Sequence, residues 1–145
     1  MTVGGVKYND KEIKFAQQIL DTYEGDYNIE SAEEITSYSV EKRNGGGSTD
    51  VGDVSWKVPT AGMSAATWVP GTSAHTWQAV AAGGTSIGIK GMLIAAKTIA
   101  LTAQDIFTDS DIIIRAKKEL EERIGKNDPY KTLIGDRDPP LNYRN

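Results

Sequence analysis

The chain has 145 residues, of which 25% are charged and 39% apolar, and its net charge is -4 at neutral pH. This length suits one domain, and the composition is typical of a soluble globular protein. The acidic balance argues against a nucleic-acid partner, because phosphate binding needs a concentration of cations. The absence of cysteine excludes disulfides, thiolate metal sites and cysteine nucleophiles. With no signal sequence recognised at the N-terminus and no clean membrane span, we expect a cytoplasmic protein without membrane partners.

The first predicted element is a helix over residues 9–23. Asn9 can cap its start, and Glu12 stands three residues further on, as in a capping box. Apolar residues then recur at helical spacing on one face. Residues 26–49 are predicted to form a long loop, because they are polar and show no period, and loops of this length are usually functional or disordered.

This loop ends in three glycines followed by Ser48, Thr49 and Asp50. One interpretation is an anion-binding nest in which the hydroxyls join backbone amides. The other is a flexible loop whose aspartate caps a short helix over residues 51–56. No lysine follows the glycines, so the segment is not a Walker P-loop. Asp50 and Asp53 are then either helix caps or groups that orient metal ligands.

A short strand is predicted over residues 62–69, since this segment is apolar and nearly uncharged, as in a strand buried on both faces. A Pro-Gly turn follows, and then His75, the chain's one histidine. Sites in open α/β sheets form at the C-terminal ends of strands, and a neutral imidazole in uncharged surroundings suits a metal ligand or proton donor. The alternative is a partly buried histidine that hydrogen-bonds to a backbone carbonyl.

Two further helices are predicted, over residues 85–107 and about 110–124, with an irregular tail over residues 126–145. The first is so rich in apolar residues that we expect it to be largely buried. The element order predicts an α/β layered fold. One strand cannot make a sheet, so we expect a partial domain whose exposed apolar face favours self-association.

The sequence resembles the C-terminal part of the aminoacylase/carboxypeptidase G family of metallopeptidases. Four segments carry the resemblance in order, and together they are more specific than any one of them: GGSTDVGDVSW at residues 46–56, VPT at 58–60, PGTSAHTWQ at 70–78, and GM at 91–92. The resemblance extends over nearly the whole chain. It implies an α/β zinc-peptidase-like catalytic domain, of which residues 1–145 are a single C-terminal portion without the lid domain.

The resemblance also implies a chemistry. Family members use two divalent metals, zinc or manganese, to activate water, with a carboxylate as general base, and they cleave N-acyl or aryl-amide bonds to amino acids such as glutamate. His75 matches the family's last metal ligand. Gly47, Ser48 and Thr49 border the substrate, and Asp50 and Asp53 are orienting groups around the ligands.

The family's other metal ligands, its general base and its lid lie upstream of the matched region. One histidine cannot hold two metals, so no catalytic residue is assigned here, and the chain alone is expected to be inactive and not to bind the metals. The implied partners are a small N-acyl amino acid, a second copy of the chain, or a missing catalytic half. The alternative is a non-catalytic remnant of the family that self-associates or binds a partner.

Overall fold

A computed structural model describes residues 3–39, 49–125 and 130–142. Its helical elements follow in chain order: α1 (Asp10–Leu20), a 3-10 helix (Ile29–Glu33), α2 (Val51–Ser55), α3 (Trp77–Gly83), α4 (Ser86–Thr108) and α5 (Ser110–Ile124). These three ranges contain no strand, so the predicted α/β class with a partial sheet is wrong. The described residues form two compact units, one of residues 3–39 and 62–108, the other of residues 49–61, 109–125 and 130–142.

The predicted strand over residues 62–69 is an irregular segment. A strand is stable only when a neighbouring strand pairs with its backbone N–H and C=O groups, and the described ranges supply no such neighbour. The segment lies instead against α4, where a Cβ atom added to Gly91 would come 2.4 Å from the carbonyl oxygen of Ala66. The apolar composition indicated a segment that packs but not the structure in which it packs.

The start of α1 confirms the predicted capping box. The Asn9 side-chain oxygen accepts hydrogen bonds from the amides of Lys11 and Glu12, both at 3.0 Å. The Glu12 carboxylate in turn accepts from the Asn9 amide at 2.7 Å. The buried face of α1 then contributes to the core of the first unit, whose buried members are Val6, Tyr8, Ala16, Ile19, Leu20, Ala32, Val69, Ala82 and Ile87.

A buried ionic network joins α1 to α4. The Glu12 carboxylate, in a residue only 5% exposed, pairs with Lys90 Nζ at 2.5 Å and accepts from Ser86 Oγ at 2.6 Å. Burial raises the pKa of this carboxyl, but the hydrogen bonds from Lys90, Ser86 and the Asn9 amide outweigh burial and hold the pKa below its ordinary value. Lys90 Nζ also donates to the carbonyl of Lys7 at 2.8 Å. The network therefore fixes the start of α4 to the N-terminal segment.

The expectation that this long helix is largely buried is wrong. Within α4, only Ile87, Gly88 and Gly91 are buried. A Cβ atom added to Gly88 would lie 2.2 Å from the carbonyl oxygen of Gly83, so the helix meets α3 at backbone distance. One face of α4 thus has a partner in the described chain and the opposite face does not. By length and composition alone, α4 is also apolar enough to cross a membrane, the one such helix among the described residues.

The second unit contains α2 and α5. The sequence predicted both helices, and α5 has the expected bounds. Asp109 caps α5 by accepting from the Asp111 amide at 3.0 Å, and Gly125 ends it with a φ of +79°. Residues 130–142 contain turns and no helix.

Candidate functional site

His75 lies in the turn that leads into α3. Its φ is +63°, which makes it the one non-glycine residue among those described with a left-handed backbone. Such a conformation is uncommon outside glycine, although histidine adopts it more readily than most residues. The side chain is exposed rather than partly buried. Strained backbone that persists in a folded protein clusters at functional sites, so the geometry favours a ligand-binding role for the imidazole.

Hydrogen bonds hold the backbone that presents this imidazole. Thr76 caps α3: its Oγ1 accepts from the Ala79 amide at 3.3 Å and donates to the Ser73 carbonyl at 2.8 Å. Shortly after, the buried Gln78 donates from Nε2 to Thr22 Oγ1 at 3.1 Å, just after the end of α1. The turn is therefore fixed to the core of the first unit. The sequence analysis missed α3, although a threonine before an alanine-rich run is a helix-start signal.

A cavity of about 520 Å³ lies beside the same turn, lined by residues 31–32 and 64–72. Gly71 closes the turn with a φ of +87°, and a Cβ atom added there would lie 2.3 Å from the Tyr27 ring, so glycine is required. Thr72 follows, and its buried Oγ1 has no hydrogen-bond partner among the described residues. A buried hydroxyl left unpaired costs about 1–3 kcal/mol. Thr72 is thus a polar group in this cavity for a water or ligand to satisfy.

The residues present do not form a complete metal site. A zinc or manganese site in a protein needs several nitrogen or oxygen ligands that converge on one point. Within residues 3–39, 49–125 and 130–142, no three histidine, cysteine, aspartate or glutamate side chains are grouped in this way. His75 can supply one ligand and no more, so no reaction step through a metal follows from these residues alone.

The glycine-rich candidate site is described only in part. Gly47 and Ser48, two of the three residues assigned to substrate binding, lie outside the described residues. Thr49 is described and exposed, and its Oγ1 accepts from the Val51 amide at 3.3 Å. The expected cap by Asp50 is wrong, because this residue has a helical backbone and its side chain makes no capping hydrogen bond. Thr49 takes the role that was predicted for Asp50.

Asp53 belongs to a cluster that the sequence analysis missed. Its carboxylate accepts a hydrogen bond from the Tyr130 hydroxyl, 77 residues away in the chain. The Tyr130 ring stacks on Trp56 with centroids 5.8 Å apart, and Lys57 Nζ lies 4.8 Å from the same ring. The hydrogen bond to Asp53, with partial loss of hydration and the carboxylate charge, raises the pKa of Tyr130. The cluster gives α2 an aromatic wall and a cation.

The candidate residues are divided between the two units. His75 belongs to the first unit, whereas Thr49, Asp50 and Asp53 belong to the second. The structure brings Asp53 next to Tyr130 and places Thr49 at the start of α2. Each group is positioned within its own unit by the contacts given above.

Comparison with curated proteins gives a similarity to a component of the p-aminobenzoyl-glutamate hydrolase of Escherichia coli strain K12. The two sequences are 42% identical over 103 residues, which cover 71% of this chain and 21% of the relative. The chain thus spans about a fifth of the length of the relative that it matches. This similarity confirms the resemblance found in the sequence. No family model and no solved structure matches the chain.

Proposed function

We propose that this chain is part of a hydrolase that cleaves an amide bond between an N-acyl or aryl group and an amino acid such as glutamate. The observation that carries the proposal is the 42% identity to a protein named as a component of p-aminobenzoyl-glutamate hydrolase. In p-aminobenzoyl-glutamate, an aryl amide joins the two halves of the molecule. Because the match covers 21% of the relative, we assign the chain one portion of an active site rather than the whole.

We assign His75 the role of one metal ligand in that site. The exposed imidazole, the left-handed backbone and the hydrogen-bonded turn support this role, because a ligand must be held in place before the metal arrives. Neutral imidazole is a common ligand for divalent zinc and also suits other transition metals. The remaining ligands and the general base come from outside this chain, and the isolated chain is inactive.

We assign substrate recognition to the glycine-rich segment, through Gly47, Ser48 and Thr49. Hydroxyls and backbone amides at the start of a helix suit a carboxylate, since both donate hydrogen bonds to an anion. A free carboxylate is the group that an amino acid product and its amide precursor share. Asp50 and Asp53 orient neighbouring groups, and for Asp53 the hydrogen bond from Tyr130 supports this role. We place the complete enzyme in the cytoplasm.

A hybrid enzyme tests the proposal. The 103 matching residues of the Escherichia coli relative are replaced by the corresponding residues of this chain, and hydrolysis of p-aminobenzoyl-glutamate is measured by release of p-aminobenzoate. We expect activity in the hybrid and none in the isolated chain. A folded hybrid without activity would show that this chain has kept the sequence pattern but not the function, as in a non-catalytic remnant.

The His75 assignment needs a variant that changes the imidazole and preserves the turn. Asparagine tolerates a left-handed backbone, so His75→Asn in the hybrid removes the ligand at little cost in stability. We expect hydrolysis to fall by at least about a hundredfold, with an unchanged melting temperature. Gln18→Ala, on an exposed position of α1, is the control and should retain activity. Equal activity of the two variants would refute the assignment.

A further inference from the structure

The exposed face of α4 carries an uninterrupted apolar surface. Its members recur at intervals of three and four residues and form what we call the α4 stripe: Ile89, Met92, Leu93, Ala96, Ile99, Ala100, Ala103, Ile106 and Phe107. At 1.5 Å per residue the stripe is about 27 Å long. It contains no charged residue, whereas the charged residues of α4 lie on other faces. A surface helix normally presents polar residues here, so the stripe marks an interaction site.

The orientation of α4 is fixed, so the stripe cannot turn inward. Gly91 lies at backbone distance from the segment over residues 62–69, and Lys90 pairs with the buried Glu12. Further along, Thr98 and Asp105 line a cavity of about 1200 Å³ on the same unit. These contacts occupy one side of the helix along most of its length. The stripe is the opposite side.

We infer that the α4 stripe binds the α4 stripe of a second copy of this chain. Its large side chains are exposed by 51% at Ile89, 56% at Met92, 62% at Ile99 and 88% at Phe107. With Leu93 and Ile106 included, they offer about 650 Å² of apolar surface, which exceeds the largest patch on most monomers. Two copies together bury about 1300 Å², within the range of specific protein interfaces. The inference concerns a surface apart from the proposed active site and does not depend on it.

The distribution of residue sizes along the stripe suits a symmetric pair. Ala96 and Ala100 lie at its middle and let two helix backbones approach closely, while the larger residues lie toward both ends. In a two-fold symmetric pair, the middle of the contact surface meets its own copy. Ala100 of one chain is therefore expected to lie close to the same residue of the other.

A lipid bilayer is the competing occupant, because α4 is long and apolar enough to cross one. A spanning helix must tolerate hydrocarbon around its whole circumference, or cover its polar side with other spanning elements. In this chain the polar side of α4 contacts charged and polar groups, including Glu12, through Lys90. This arrangement favours a protein partner on the stripe.

Two matched variants test the pairing. Ile99 in α4 and Ile114 in α5 are both isoleucines in helices and both 62% exposed. Sedimentation equilibrium of the full chain should show a dimer, and Ile99→Glu should raise the dissociation constant by about thirtyfold or more, because a carboxylate would be buried at the interface. Ile114→Glu should leave it unchanged within about twofold. A monomeric parent chain, or equal weakening by both variants, would overturn the inference.

Cysteine cross-linking gives a second measurement that is independent of charge. The chain has no cysteine, so Ala100→Cys and Thr102→Cys each create a single thiol, the first on the stripe and the second off it. Under mild oxidation we expect rapid disulfide dimers from the first variant and slow ones from the second. Equal rates would contradict the inference. Preferential binding of the chain to phosphatidylcholine vesicles, with loss of the dimer, would identify lipid as the occupant and also overturn it.

Discussion

Removal of the Lys90 ammonium should destabilise the first unit, because it leaves a buried carboxylate without its cationic partner. Glu12 is 5% exposed and keeps hydrogen bonds from Ser86 and the Asn9 amide after Lys90→Met. Breaking a fully buried ion pair costs about 3–5 kcal/mol. The Lys90 side chain is 36% exposed, so water screens part of the interaction, and we expect a loss of about 1.5–3 kcal/mol in the free energy of unfolding.

Urea unfolding followed by circular dichroism measures this loss, and Lys97→Met is the control. Lys97 is an exposed lysine of the same helix, so its replacement should change the free energy of unfolding by no more than about 0.5 kcal/mol. A double-mutant cycle with Glu12→Gln isolates the pair from other effects of the substitutions. If Lys90→Met and Lys97→Met have the same effect, the network contributes nothing to stability and the reasoning is refuted.

The same network predicts a pH dependence. The folded-state pKa of Glu12 lies below its ordinary value, so the unfolded chain binds a proton at a higher pH than the folded chain does. The stabilisation is therefore fully present above the unfolded pKa, about 4.3, and is lost as the pH falls through the lower folded value. Glu12→Gln should remove this part of the acid-induced loss of stability, measured by urea unfolding at a series of pH values.

Two further predictions concern packing and the aromatic cluster. Gly91→Ala should lower the free energy of unfolding by about 2 kcal/mol or more, because the added methyl group meets a backbone carbonyl, whereas Gly62→Ala meets nothing within 4 Å and should be neutral or stabilising by up to about 1 kcal/mol; equal melting temperatures for the two variants would contradict the packing. Asp53→Asn should lower the pKa of Tyr130, which the carboxylate now raises, and tyrosinate absorbance, with Tyr130→Phe to identify the signal, would refute the contact if the titration stayed unchanged.

The features that were predictable from the sequence depend on neighbours in the chain. The capping box of Asn9 and Glu12 requires residues three apart, and α5 follows from helical periodicity with a cap and a terminal glycine. The same local signals placed α4 to within one residue at each end. Each of these elements makes its hydrogen bonds within itself, so a short window of sequence determines it.

The features that failed depend on distant partners. Residues 62–69 have the composition of a buried strand, but no described segment pairs with them. Apolar composition likewise shows that α4 has much surface to bury without showing what covers it. Tyr130 and Asp53 are 77 residues apart, so no spacing rule could connect them. The candidate site was predictable at His75 through resemblance, while its exposure and left-handed backbone required the structure.

The two close contacts of α4 with backbone have a consequence for the order of folding. Gly88 and Gly91 occupy positions where any side chain would clash, and each glycine lowers intrinsic helix stability by about 1 kcal/mol relative to alanine. The first turns of α4 are therefore intrinsically weaker than its alanine-rich second half. Nucleation is expected in that second half, after which the glycine-containing turns become helical as they dock on α3 and residues 62–69. The start of α4 is then a late event in folding, and its amides should exchange with solvent before those of the helix centre.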